Sequence, residues 1–145
     1  MTLLKTLMTT AVCTIAISAA QAASVPIENA SFEQKWSSWE DTDPSAISGE
    51  AYEGSKSAKL EGAGAKAAQV VSVQEDTDYV LTAWVKGKGT IGVTAGANTK
   101  TANVDSSGWQ QATVTFNSGS SSSVTIFGAY NGGKGRFDAF SLESK

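Results

Sequence analysis

The sequence predicts an all-β chain folded as a β-sandwich, a jelly roll of two antiparallel sheets. Three observations carry this reading. Beyond Ala22 no window sustains apolar residues at helical spacing. Short runs rich in β-branched and aromatic residues alternate apolar with polar positions, as half-buried strands do. Between the runs stand clusters of Asp, Asn, Ser and Gly, the residues that turns require.

The first residues read differently. Lys5 supplies a positive start, Leu7 to Ala19 is apolar or small, and Ala20-Gln21-Ala22 fits the cleavage pattern of a secretory signal peptide. Residues 1–22 are therefore expected to be removed, leaving residues 23–145 as one domain secreted to the periplasm or beyond the cell. Thr9, Thr10, Thr14 and Ser18 interrupt a stretch shorter than the ~20 apolar residues of a membrane span. Cleavage takes away Lys5 and no acid, so the formal charge moves from −3 to −4. It also takes away Cys13, the only cysteine, leaving neither a disulfide nor a thiol nucleophile. The chain has no histidine, which excludes a Ser-His-Asp triad, a histidine base and a histidine-ligated zinc. An acidic balance without a Lys/Arg block argues against nucleic acid as a partner.

In the mature segment the strongest strand runs from Tyr79 to Lys86. Tyr79, Leu81, Ala83 and Val85 share one face, and Thr82, Trp84 and Lys86 share the other. Gly87-Lys88-Gly89 reads as a hairpin turn and Thr90 to Ala95 as the returning strand. Further strands are expected at residues 57–61, 67–73, 99–104, 110–116, 123–130 and 136–143, with a turn at Asp105-Ser106-Ser107-Gly108. This length suffices to close one apolar core, and a monomer is expected.

Several blocks stand in a telling order: Asn29-Ala30-Ser31-Phe32-Glu33 followed by Trp36 and Trp39; Gly54 to Leu60; Val71-Ser72-Val73; Thr77 to Lys86; Gly108-Trp109 with Thr113 to Phe116; and Arg136 to Leu142. Together they resemble the carbohydrate-binding modules of families 4/9, 16 and 22, and the likeness spans the mature chain. The resemblance implies a jelly roll that binds polysaccharide without catalysis, as such modules do when attached to glycoside hydrolases and polysaccharide lyases. Alginate or another plant or algal glycan is the expected ligand. A lyase or hydrolase catalytic domain is the expected partner, and Glu143-Ser144-Lys145 ends where a linker to it would begin. A module that helps a lyase precursor to fold or reach its place is the alternative.

The resemblance also sets the first and last strands side by side, which joins Glu33 to Asp138 and implies a structural calcium ion. Oxygens near Ser31, Glu53 and Lys56 would complete its six to eight ligands. Ala139 stands where the family often has a second acid.

Sugar contacts are sought among the aromatics, because a pyranose has an apolar C–H face that stacks on a ring while its hydroxyls need planar polar partners. Trp84 leads, since it alternates away from the core face of its strand; Trp36 and Trp39 follow in an opening loop. Trp109 is read as a core residue. Gln111, Thr113 and Thr115 lie on the face opposite Ala112, Val114 and Phe116, while Tyr130 and Arg136 flank the Asn131–Gly135 loop. Lys86, Lys88, Lys100, Lys134 and Arg136 would suit an anionic glycan if the fold gathers them, though charges in turns also keep β-proteins soluble. A carboxylate-dependent hydrolase would draw on Asp41, Asp43, Glu50 and Glu53.

Overall fold

A computed structural model describes residues 22–145, so the expected signal peptide, Ala22 apart, lies outside the described residues, as does Cys13. Nine strands and no helix are found among the described residues: β1 (Ser24–Val25), β2 (Glu40–Thr42), β3 (Ser45–Ser48), β4 (Ser57–Leu60), β5 (Lys66–Ser72), β6 (Asp78–Ala95), β7 (Asn98–Asn117), β8 (Ser123–Ala129) and β9 (Gly135–Ser144). All pairings are antiparallel.

The sandwich is one sheet folded over on itself. Tyr79 to Gly87 of β6 pair with β9, whereas Thr90 to Thr94 of the same strand pair with β8. One layer therefore runs β3-β4-β9-β6 and the other β2-β5-β8-β6, with β7 following β6 along both. The expected hairpin turn at Gly87-Lys88-Gly89 is a bend inside a single 18-residue strand, and Asp105 to Gly108 lie inside the 20-residue β7. Turn chemistry and bend chemistry look alike in sequence. At Gly87 the backbone takes φ +91° and a Cβ would strike the Lys134 carbonyl, so only glycine fits. The true hairpin reversal is at Gly96, with φ +60°. The strands expected near residues 57–61, 67–73, 123–130 and 136–143 are β4, β5, β8 and β9, and β1 does lie beside β9.

Alternation holds through the first half of β6. Tyr79, Leu81, Ala83 and Val85 are buried, while Val80, Thr82, Trp84 and Lys86 look outward and are only partly covered. The layers meet at Phe137 of β9, whose ring lies against Gly128 of β8 and Gly89 of β6. Phe127, next to Gly128, points out of the sandwich and is covered instead by the Lys66 ammonium, 4.3 Å from its ring centre.

This contact yields a stability prediction. A Cβ at Gly128 would stand 2.7 Å from the Phe137 ring, which has no open space to move into. Gly128→Ala should lose about 1–3 kcal/mol in urea unfolding, the usual cost of overpacking a core. An unchanged midpoint would show that the layers are not in contact there.

Candidate functional site

Between β3 and β4, residues 49–56 form a loop laid over the outward face of β9, and acidic side chains pin it. Asp138 is fully buried on that face. Its Oδ2 accepts the N–H groups of Tyr52 and Glu53, both at 2.9 Å, and its Oδ1 accepts the N–H of Ala139 at 2.8 Å. Ala139 reaches this position by taking φ +50° at an irregularity in the β6–β9 pairing. Glu33 accepts the Ser55 N–H at 2.7 Å, the Ser55 hydroxyl at 3.1 Å and the Lys56 N–H at 2.8 Å. The Ser31 hydroxyl donates to Glu53 Oε2 at 2.8 Å.

Burial pushes the Asp138 carboxyl up to about 6; the three N–H donors act against this and nearby Glu33 adds to it. Glu33 is held below its usual range, chiefly by the Ser55 N–H.

The pinned loop presents Tyr52. Its ring stacks on Trp84 with centres 3.9 Å apart and planes 11° from parallel, and the residue remains 46% exposed. Trp109 stands 6.1 Å from the same ring at 60°. Beside the stacked pair opens a groove of about 690 Å³ along the outward face of β6. Val80 and Thr82 continue its floor from Trp84, Gln111 of β7 and Ser141 of β9 flank it, and Glu53 and Glu143 bring the only charges to its lining. Hydroxyl and amide groups beside an aromatic wall match the two-sided chemistry of a sugar ring, which is apolar on its faces and polar at its rim.

A family model for a carbohydrate binding domain matches residues 26–132. The chain belongs to that family. The carbohydrate-binding domain shares its fold with a family 61 module solved with β-1,4-galactotriose (TmCBM61; TM-score 0.65, 19% identity, covering 83% of this chain and 99% of the other). It shares it with a second family 16 carbohydrate-binding module (0.65, 22%, 79% and 96%) and with a family 22 xylan-binding domain of Paenibacillus barcinonensis Xyn10C (0.57, 11%, 80% and 98%). At these identities the likeness speaks for the fold alone. A search of curated protein sequences finds no match.

Within the carbohydrate-binding domain, the residues named from sequence separate into groups. Trp84 and Gln111 face each other across β6 and β7 and both line the groove. Trp39 does not: it is buried against Phe32 and Phe140, and its indole N–H donates to the Asn29 carbonyl at 2.9 Å. Asn29 organises that opening block, its amide donating to the carbonyls of Lys35 and Ser37, and so turns Trp39 inward. Trp36 packs edge-on against Phe32 and serves the same core. Tyr130 packs against the core too, and its N–H donates to the Ala65 carbonyl, away from the groove. Trp109, expected in the core, is outside it and stands beside Tyr52.

Lys86 and Arg136 share the outward face with Trp84 but are both claimed by Glu50. Lys86 bonds one carboxylate oxygen, and Arg136 Nε lies 3.3 Å from the other and 3.1 Å from the Ser48 hydroxyl. The Lys86 contact, then the Arg136 charge, hold Glu50 below its usual range. Lys134 lies near Glu61 and Lys88 near Asp105, each at 3.9 Å, and Lys100 is elsewhere, beside Phe116 and Lys145. Glu33, Asp138, Ser31, Glu53 and Lys56, the five residues named for calcium, do gather around one loop. Tyr52 is the residue that sequence reading missed, because it sits in an irregular loop where no alternation assigns it a face.

Asp138 gives this site a pH signature. The folded chain raises its carboxyl to about 6, above the value near 4 of an unfolded aspartate, so the folded state holds the proton more tightly. Its contribution to stability is complete below about pH 4 and is lost as pH rises through about 6. In chelator-treated protein, unfolding free energy should fall across that window more steeply in wild type than in Asp138→Asn, which cannot titrate. Parallel pH profiles would refute the assignment.

Proposed function

We propose that this chain is a secreted, non-catalytic module that holds a neutral polysaccharide in the groove beside Tyr52 and Trp84. The observation that carries the reading is the stacked pair itself. A half-exposed tyrosine locked parallel to a tryptophan offers a rigid apolar wall at the end of a polar groove, and rigid aromatics contribute contact area at little entropic cost. Neutrality follows from charge. Glu53 and Glu143 line the groove, no Lys or Arg among the described residues does, and Glu50 engages Lys86 and Arg136 on the same face. A uronate chain such as alginate would meet two carboxylates and no Lys or Arg in the groove lining to offset them.

The acids that a hydrolase would use are otherwise engaged. Asp41 and Asp43 accept from the Ser45 hydroxyl, Glu50 is ion-paired, and Glu53 accepts from Ser31. Binding is then the chain's contribution, with catalysis supplied by an attached or neighbouring hydrolase or lyase.

Retention on gels of xylan, β-glucan, galactan, chitin and alginate tests the reading. Wild type should be held by at least one neutral gel and pass through alginate. Aromatic stacking is worth about 0.5–1.5 kcal/mol beyond the area it buries, so Trp84→Ala and Tyr52→Ala should each weaken retention by roughly two- to tenfold without moving the melting temperature by more than a few degrees. Passage of wild type through every gel, or hydrolysis of any of them, would overturn the proposal.

A structural calcium ion belongs to the same proposal. The side-chain ligands offered by Ser31, Glu33, Glu53 and Asp138 are oxygens, as a hard cation requires, although those of Glu33 and Asp138 also accept backbone N–H groups, and Asp138 is a buried carboxylate that no Lys or Arg among the described residues pairs with. Among the described residues no three Asp, Glu, His or Cys side chains group as a metal site, so hydroxyl and carbonyl oxygens would join Glu33 and Asp138. Such an ion would tie the loop to β9 and offset the cost of burying Asp138. Calcium a hundredfold above its Kd should stabilise the fold by about 2.7 kcal/mol, lost on adding chelator and absent in Asp138→Ala. A melting curve indifferent to chelator would leave the hydrogen bonds as the loop's only clip.

A further inference from the structure

Trp109 owes its position to an irregularity that the groove does not need. Along β7 the register to β6 slips: Val85 faces Gln110 and Gly87 faces Ser106, so three residues, Ser107, Gly108 and Trp109, stand where Lys86 has room for one. Bulges bend a strand and re-aim its side chains. Here the bend is also where β6 and β7 pass from one layer to the other. The indole is outside the hydrophobic core and partly exposed, two residues along the strand from Gln111. It does not line the groove, whereas its neighbour Tyr52 does.

We propose that Trp109 is an outlying stacking surface for the same glycan chain, reached only by oligosaccharides long enough to fill the groove and pass Tyr52. This rests on the glycan-binding reading above. Tyr52 links the other two rings, stacked on Trp84 with centres 3.9 Å apart and standing 6.1 Å from Trp109 at 60°. A chain lying against Trp84 and Tyr52 is carried on to Trp109. Affinity then rises with chain length in two stages, the first set by the groove and Trp84 and the second by Trp109.

Titration calorimetry with oligosaccharide ladders of xylan, β-glucan, galactan and chitin, from disaccharide to hexasaccharide, tests this. Trp109→Ala should bind the shortest sugars as wild type does and lose about three- to tenfold on the longest, while Trp109→Phe, which keeps an aromatic face, recovers most of that difference. Equal weakening at every length would mean that the ring only props Tyr52, and unchanged binding at every length that it touches no sugar. A marked fall in the melting temperature of Trp109→Ala would make it a packing residue. Each of these three results overturns the proposal and leaves the glycan reading standing. Failure of wild type to bind any ladder overturns the glycan reading itself.

Discussion

The structure hangs on the bend in β6. One strand serves as the centre of both layers, and it does so because the chain at Gly87 can take a backbone angle that a side chain would forbid, directly under the Lys134 carbonyl. Everything before the bend faces β9 and everything after it faces β8. β7 must make the same passage and takes it up by inserting residues, which exposes Trp109. Folding one sheet double also creates the inner surface that Phe137 fills and the outer surface on which the groove lies.

Function on that outer surface depends on a loop that regular strands do not hold. Residues 49–56 have few apolar anchors of their own. They stay in place because Asp138 and Glu33 accept backbone N–H groups that would otherwise seek water. The cost is a buried carboxylate whose ionisation is disfavoured. The return is an ordered Tyr52, set against Trp84, so that on the proposed reading little ordering is left for binding to do. The acids thus hold the loop, and the loop holds the stacked rings.

Charge is distributed on the same principle. Lys86 and Arg136, the cations that share the outward face with Trp84, are both held by Glu50, while Lys134 and Lys88 stand near Glu61 and Asp105. Exposed pairs of this kind add little stability, and among the described residues no Lys or Arg lines the groove itself.

Residue chemistry alone determined the fold class, because period-two alternation and turn-forming clusters are local properties that survive without tertiary context. It determined the inward face of β6 from Tyr79 to Val85, the outward turn of Trp84 and the exclusion of histidine and cysteine chemistry from residues 23–145. The block order pointed to the family, and the resemblance joined Glu33 to Asp138, both of which hold the 49–56 loop. What the tertiary structure decided was everything set by contacts between distant segments. Glycine-rich Gly87-Lys88-Gly89 suits a reversal or a bend equally, and only pairing with both β9 and β8 selects the bend. A tryptophan in a loop carries no sign of its direction; Asn29 turned Trp39 inward, and a slipped register put Trp109 outside the core. Tyr52 was invisible for the same reason, since its place on Trp84 is set by a carboxylate 86 residues further along the chain.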